Sequence, residues 1–155
     1  MNHMRIMFIT PYYPPIHTAA SIRVYEMVRF LASKQEISHI DVVLWNPYRI
    51  AFSGTHTPLD KVTVWRDNMG RHMPTALLRH QDANPFFMFS WRRITRRYCR
   101  MLRPDIVLFT SPPGSILYGA DWCRIKGIKF IIDYRDEWIA VNRNLIKGMG
   151  PIKKI

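Results

Sequence analysis

A chain of 155 residues is about the length of one domain, and its 48% apolar residues are typical of a protein that buries a core. The formal net charge of +12 indicates an anionic partner, which could be a phosphorylated substrate, a nucleic acid or a membrane surface. We expect no bilayer-spanning segment, because no apolar run has the required length, and no signal peptide, because residues 1–10 carry one Arg and lead directly into a strand-like segment. Cys99 and Cys123 lack metal or disulfide spacing, which predicts two core thiols in a reducing cytoplasm.

Strand and helix patterns alternate over the first third of the chain. Residues 5–10 are apolar apart from their ends, which predicts a strand buried on both faces, and the three prolines in 11–18 predict a loop. An amphipathic pattern over 19–33 predicts a helix with Thr18 as its N-cap. Residues 40–45 form the next predicted strand.

The middle of the chain, 47–85, is difficult to interpret and holds one strand candidate at 61–65. The helical period then returns over 85–102, with an apolar stripe on one side and arginines on another. The remaining predicted elements are a strand at 105–110, a loop at 111–115, a helix that ends near Lys126 with Gly127 as its C-cap, and a strand at 128–133.

The last of these strands is an apolar run that enters a charged group, which consists of Asp133, Arg135, Asp136 and Glu137. Such a run predicts a buried parallel strand, and ligands of open α/β sheets bind beyond the carboxyl ends of the strands. Two interpretations stay open. The group is a ligand-facing loop, or it is a solvated loop in which Arg135 pairs with Asp133 or Glu137.

This alternation predicts an α/β fold: one Rossmann-like, three-layer domain over 1–155, with a parallel sheet. Three loops, at 11–18, 111–115 and 133–138, each lead from a strand end toward a helix N-terminus, which favours an anion. The sequence lacks the dinucleotide-binding fingerprint, the P-loop, the nucleophile elbow and the paired histidines of a zinc site. These absences disfavour the common α/β enzyme classes, and we expect neither a metal nor a cofactor.

Three blocks of the sequence resemble the N-terminal domain of family 4 glycosyltransferases, which are retaining enzymes of the GT-B fold. The first block is MRIMFITPYYPP at 4–15 followed by RVYEMVRFL at 23–31. The second is RPDIVLFTSPP at 103–113, and the third is IIDYRDEW at 131–138. The order and spacing of the blocks carry the resemblance, which covers about 4–138.

The resemblance implies a substrate cleft with two departures from the family pattern. In the family, a pair of glycines lets the backbone come close to the donor phosphates. Thr18 and Ala19 occupy these two positions here, and their β-carbons leave less room between the backbone and the phosphates. Arg135 occupies the place of a histidine that faces the transferred sugar; it can hold a phosphate but cannot accept a proton. The catalytic residues are therefore unassigned, with Arg135 and Asp136 as candidates. The residues expected to line the cleft are Thr18, Ala19, Ser21, Arg23, Ser111, Pro112, Asp133, Arg135 and Asp136.

The expected roles are contact of Arg135 with a phosphate, and of Asp133 or Asp136 with an acceptor hydroxyl. Ordinary structural roles are the alternatives: Ser21 as a helix cap, Arg23 as a solvated side chain, and Asp133 as an acceptor for loop amides.

Enzymes of this family bind the nucleotide sugar mainly through a second Rossmann-like domain. We therefore expect this chain to be the incomplete N-terminal half of a GT-B enzyme and to be inactive by itself. The implied function is acceptor binding in the transfer of a sugar from a nucleotide-sugar donor to a glycan or lipid-linked acceptor, as in cell-envelope polysaccharide biosynthesis. The alternative is a non-catalytic Rossmann-like module that binds a phosphorylated or nucleic-acid ligand.

The basic helix at 85–102 predicts peripheral contact with the inner face of an anionic membrane. The membrane-facing candidates are Arg92, Arg93, Arg96 and Arg97, with Phe86, Phe87 or Phe89 as an interfacial anchor. In the alternative interpretation the aromatic stripe packs on the sheet and the arginines are solvated. Nucleic acid is disfavoured because aromatic residues and arginines occupy different stripes. An exposed edge strand or an exposed apolar helix face further predicts self-association, most simply as a two-fold homodimer.

Overall fold

Helices and strands alternate along the residues that the computed structural model describes, which are 3–45, 57–69, 85–111 and 113–134. The elements are β1 (Met4–Thr10), α1 (Ala19–Ala32), β2 (Ile37–Trp45), β3 (Val62–Asp67), α2 (Pro85–Leu102), β4 (Ile106–Ser111), a short 3-10 helix (Gly114–Ile116), α3 (Leu117–Ile125) and β5 (Phe130–Tyr134). This order confirms the predicted alternation.

The five strands form one sheet in the order β3-β2-β1-β4-β5, and every neighbouring pair is parallel. β1 lies at the centre because α1 connects it to β2 on one side, and the chain later returns from β3 through α2 to place β4 on its other side. Its residues from Ile6 to Thr10 are all buried, as predicted for a strand covered on both faces. The Rossmann-like α/β prediction is therefore confirmed.

Two hydrophobic clusters occupy the two faces of the sheet. On one face α2 and α3 pack over the strands, and the rings of Trp45 and Trp91 meet edge-to-face with centroids 4.5 Å apart. On the other face α1 contributes Val24 and Val28 to a second cluster. The helices thus complete the predicted three layers.

Local signals place the ends of the helices. The Thr18 hydroxyl accepts a hydrogen bond from the backbone N–H of Ser21 at 3.2 Å, so Thr18 is the N-cap of α1 as predicted. α2 begins at Pro85, a residue favoured in the first turn because it lacks a backbone donor. Gly127 has φ of +67° just after α3, a backbone conformation that favours glycine at a helix end.

β5 differs from its prediction. It is a parallel strand, but the apolar run does not make it a buried one, because Ile131 is 49% exposed. The cause is strand order: β5 is last in the sheet, and the described residues pair it with β4 alone. The expectation of a buried strand at 128–133 is wrong.

Candidate functional site

The carboxyl ends of β1, β4 and β5 lie side by side and carry polar side chains. Thr110 is in register with Asp133, and the register of β1 with β4 places Thr10 beside Thr110, so all three point toward the α1 face. Thr110 Oγ1 donates to Thr10 Oγ1 at 2.7 Å, and the Thr10 hydroxyl also bonds the backbone of Tyr12 at 3.0 Å. These bonds fix the start of the proline-rich loop to the edge of the sheet.

Arg23 of α1 reaches across this edge to Asp133 at the end of β5. Its Nη2 donates to Oδ1 of Asp133 at 2.6 Å, and the two side chains are 43% and 17% exposed. Both groups therefore remain accessible from solvent. An anion can bind the guanidinium while a hydroxyl donates to the carboxylate, so the pair has the two functions that a phosphorylated or sugar ligand needs. Arg23 is thus engaged and not merely solvated.

Three predicted cleft residues at the start of α1 have different environments. The Thr18 hydroxyl is half-buried and serves as the cap, whereas Ala19 is exposed. Ser21 is fully buried and its Oγ has no hydrogen-bond partner in the part of the chain that the structure describes, so the alternative in which Ser21 caps the helix is wrong. A buried hydroxyl without a partner is uncommon and points to a missing donor or acceptor.

Ser111 is separated from Asp133 by the sheet. Its register partner is Tyr134, so its side chain points to the face covered by α2 and α3. The Ser111 hydroxyl is also buried, and no described residue forms a hydrogen bond with it. The structure therefore brings Arg23 and Asp133 together and leaves Ser111 on the opposite face.

Three further predicted cleft residues, Pro112, Arg135 and Asp136, lie outside the described residues. Their roles, including the catalytic candidacy of Arg135 and Asp136, stay predictions. The alternative in which Arg135 pairs with Asp133 also stays a prediction, although Oδ1 of Asp133 already accepts a hydrogen bond from Arg23.

The arginines of α2 form a basic surface. A groove of about 830 Å³ lies beside α3 and is lined by five of these arginines, Arg92, Arg93, Arg96, Arg97 and Arg100. Its other lining residues are Phe89, Trp122 and Lys126. Arg97 differs from the rest because its Nη1 lies 3.5 Å from Asp67 and its guanidinium lies over the Tyr98 ring at 5.5 Å. No ion pair is found within the described ranges for Arg92, Arg93 or Arg96.

The three phenylalanines at the start of α2 do not share one environment. Phe87 is completely buried against Trp45, with ring centroids 5.7 Å apart, so its proposed role as a membrane anchor is wrong. The reason is helical spacing, which places Phe87 on the same stripe as Trp91 and Ile94. Phe86 is partly exposed and Phe89 is 65% exposed, so both can contact a surface outside the protein.

A buried carboxylate at the end of β3 has no counterpart among the predicted site residues. Asp67 lies in a cavity of about 560 Å³ with Arg66, Arg93, Arg97 and Tyr98. Its position at the end of an alternating strand is the signal that could have identified it, since ligand-binding residues of parallel sheets occur at such ends. The pairing with Arg97, 30 positions later in the sequence, could not be foreseen from local pattern.

The two cysteines are buried free thiols, as predicted. A hydrogen bond with Cys99 and then burial raise the pKa of the Cys123 thiol, so it stays protonated and unreactive at neutral pH. Within the described ranges, His, Cys, Asp and Glu side chains form no group of three that could hold a metal ion.

Comparison with known proteins found no matching family model, no matching curated protein and no matching solved structure. Within the described ranges, no helix has both the length and the apolar character needed to cross a membrane.

Proposed function

We propose that the chain is the acceptor-binding, N-terminal part of a GT-B glycosyltransferase that transfers a sugar from a nucleotide-sugar donor to a glycan or lipid-linked acceptor. The observation that supports this most is the 2.6 Å pair of Arg23 and Asp133 at the carboxyl edge. The pair joins two sequence blocks that resemble the family, and it does so at the edge where open α/β sheets bind ligands.

In this proposal Asp133 accepts a hydrogen bond from an acceptor hydroxyl, while Arg23 contacts a phosphate of the donor or of a lipid-linked acceptor. The carboxylate has one oxygen bound by Arg23, which leaves the other to face the ligand. The guanidinium also neutralises the carboxylate before a ligand arrives and holds it in place. Both roles are positioning and binding roles; Arg135 and Asp136 remain the candidates for the chemical step.

Sugar transfer from radiolabelled nucleotide sugars to membrane and oligosaccharide acceptors tests the proposal. We expect no turnover from the 155 residues alone, and transfer once a nucleotide-sugar-binding domain is joined to them. Arg23→Gln should then lower kcat/KM at least about tenfold, which corresponds to 1.4 kcal/mol.

The control is Arg29→Gln, which removes the same charge from the same helix. Arg29 pairs with Glu26 on the exposed side of α1, so its loss should change kcat/KM less than about twofold, or 0.4 kcal/mol. Turnover by the isolated chain, or an equal loss in both variants, would refute the proposed arrangement.

The second candidate function is a non-catalytic module for a phosphorylated or nucleic-acid ligand, which the net charge of +12 and the basic groove on α2 favour. Nucleic acid is the weaker form, because base stacking needs accessible aromatic rings and most rings of α2 are buried, with Phe86 and Phe89 as the exposed ones among its described residues. A steep fall in oligonucleotide affinity with rising salt would support this candidate over the glycosyltransferase.

We also propose that α2 rests on the inner, anionic face of a membrane. Arg92, Arg93 and Arg96 are exposed on one helix together with Phe89, so basic and apolar groups can contact headgroups together. Each basic residue near such a surface contributes about 1 kcal/mol, so three would supply roughly 3 kcal/mol.

A further inference from the structure

The groove of about 830 Å³ between α2 and α3 is lined mainly by cations, and none of the described residues that line it is acidic. It lies on the face of the sheet that α2 and α3 cover, whereas the pair of Arg23 and Asp133 lies on the α1 face. What the groove binds therefore does not depend on the sugar-transfer function proposed for that pair.

Most of the cations in the groove lack an acidic partner. Arg97 is the exception, because its Nη1 lies 3.5 Å from a carboxylate oxygen of Asp67. In the part of the chain that the structure describes, the other lining cations form no ion pair: Arg92, Arg93, Arg96, Arg100 and Lys126. The groove thus has a large local excess of positive charge, which favours a ligand with several negative charges.

Three of these cations form a straight row along α2, which we call the arginine row: Arg92, Arg96 and Arg100, all exposed. An α-helix rises 1.5 Å per residue, so neighbouring members of the row are about 6 Å apart along the axis. Like charges four residues apart destabilise a helix. The stability of the chain by itself therefore does not explain the row, whereas an anionic ligand would relieve its repulsion.

The groove also offers one accessible apolar side chain. Phe89 is 65% exposed and lies three residues before the arginine row on the same helix. Trp122 lines the groove as well, but it is buried and so forms part of the base. A ligand that uses the whole groove has acidic groups in a line and an apolar group near one end.

We propose that this groove binds an acidic amphipathic helix of a partner protein, with its carboxylates on the arginine row and an apolar side chain on Phe89. Acidic residues four positions apart on a helix are also about 6 Å apart along its axis, so a helix that lies along α2 presents one carboxylate to each arginine. Binding of an amphipathic helix in a groove is a common mode of peptide recognition. A nucleic-acid strand fits less well, because among the described lining residues Phe89 alone offers a ring for base stacking.

The arginine row shares Arg92 and Arg96 with the membrane contact proposed above, so a bound helix and an anionic bilayer would compete for α2. This competition rests on the membrane proposal, whereas binding of the helix does not. A binding assay without vesicles therefore separates failure of the helix proposal from failure of the membrane contact.

Fluorescence anisotropy of the 155-residue chain with two labelled synthetic peptides tests the proposal. Both peptides have about 18 residues, the same composition and a hydrocarbon staple that keeps them helical, since short helices are marginal in water. In the first peptide the glutamates lie four residues apart on one face and a leucine precedes them. In the second the same glutamates are distributed around the helix. We expect the first peptide to bind at least about fivefold more tightly, because it alone can pair with the whole row.

Variants of the chain locate the bound peptide. Arg96→Gln removes the middle of the row and should weaken the first peptide at least about threefold. The matched control is Arg124→Gln, which removes the same charge from α3, where Arg124 pairs with Asp121 and does not line the groove. Its affinity for the first peptide should stay within about 1.5-fold of the parent chain. Both arginines are exposed, so neither variant should lower the midpoint of thermal unfolding.

The second arm of the test compares the first peptide with a single-stranded oligonucleotide of equal charge. Weaker binding of the oligonucleotide supports a helix as the occupant, and tighter binding would overturn it. Equal affinity for the two peptides, an equal loss in the two arginine variants, or no binding of either peptide would also overturn the proposal, because each leaves only diffuse attraction to a basic surface.

Discussion

Replacement of Gly119 by alanine tests how tightly α3 is packed on the sheet and on α2. A β-carbon at this position would overlap Oγ1 of Thr95 on α2 and lie 2.9 Å from Cε1 of Phe109 on β4. Both neighbours are fully buried, so neither can move into solvent. The glycine therefore allows an approach of α3 that no other residue permits.

Two opposing effects decide the sign of the change. Alanine is favoured over glycine inside a helix by about 1 kcal/mol. Overpacking of a filled core costs about 1–3 kcal/mol, and two contacts shorter than 3 Å place this case at the upper end. We expect Gly119→Ala to lower the free energy of unfolding by about 1–2 kcal/mol. Urea denaturation followed by far-ultraviolet circular dichroism measures it.

The double variant Gly119→Ala/Thr95→Ala is the decisive control. Removal of Oγ1 from Thr95 relieves the closer overlap and leaves the contact with Phe109, so about 1 kcal/mol should be recovered as coupling between the two sites. A Gly119→Ala protein as stable as the parent, or a double variant with no recovery, would show that α3 is not held against α2 in this way.

The remaining predictions concern a buried carboxylate, the basic helix and the edge strand. Asp41 is fully buried, and its two carboxylate oxygens accept hydrogen bonds from Arg5 Nε and Trp65 Nε1. Asp41→Asn should lower the free energy of unfolding by about 2 kcal/mol, because the asparagine side chain has one acceptor oxygen in place of two. Sedimentation with anionic vesicles should fall when Arg92 and Arg96 become glutamine, whereas binding that ignores lipid charge would contradict membrane contact. Light scattering should detect a dimer at high micromolar concentration that Ile131→Lys dissociates; a monomeric parent chain would contradict pairing through β5.

The strongest periodic signals in the sequence predicted their elements well. The predicted helix over 85–102 coincides with α2, because its apolar residues repeat at spacings of four and three over five turns. The predicted cap at Thr18 is also confirmed, since capping depends only on residues within one turn. Local sequence is sufficient where local contacts decide the structure.

Strand order and long-range pairing could not be predicted in the same way. The apolar run of β5 is similar to that of β1, yet one is an edge strand and the other is central, a difference set by the topology of the whole sheet. Arg23 and Asp133 were each expected at the cleft, but 110 positions separate them and no local pattern indicates their pairing. The pairing of Arg97 with Asp67 could not be predicted either, because the two residues are far apart in the sequence.

Polar groups are distributed unequally between the two ends of the sheet. Near the amino ends of the strands, Arg5 donates through Nε to Asp41 and through its backbone N–H to Asp105, so these charged groups are paired. Near the carboxyl ends, the hydroxyls of Ser21 and Ser111 are buried and have no hydrogen-bond partner among the described residues. Such groups are rare in folded proteins because each carries the full cost of lost hydration.

One buried hydroxyl away from this edge has a different explanation. Thr95 Oγ1 also lacks a partner, but it lies in the tight contact between α2 and Gly119, where no further atom fits. Ser21 and Ser111 lie on opposite faces of the sheet, so they do not form one cluster, and the solvent-accessible pair of Arg23 and Asp133 lies on the α1 face. The accessible pair of Arg23 and Asp133 is thus what supports the proposed binding role of this end of the sheet, whereas the paired charges of Arg5, Asp41 and Asp105 at the opposite end contribute to stability.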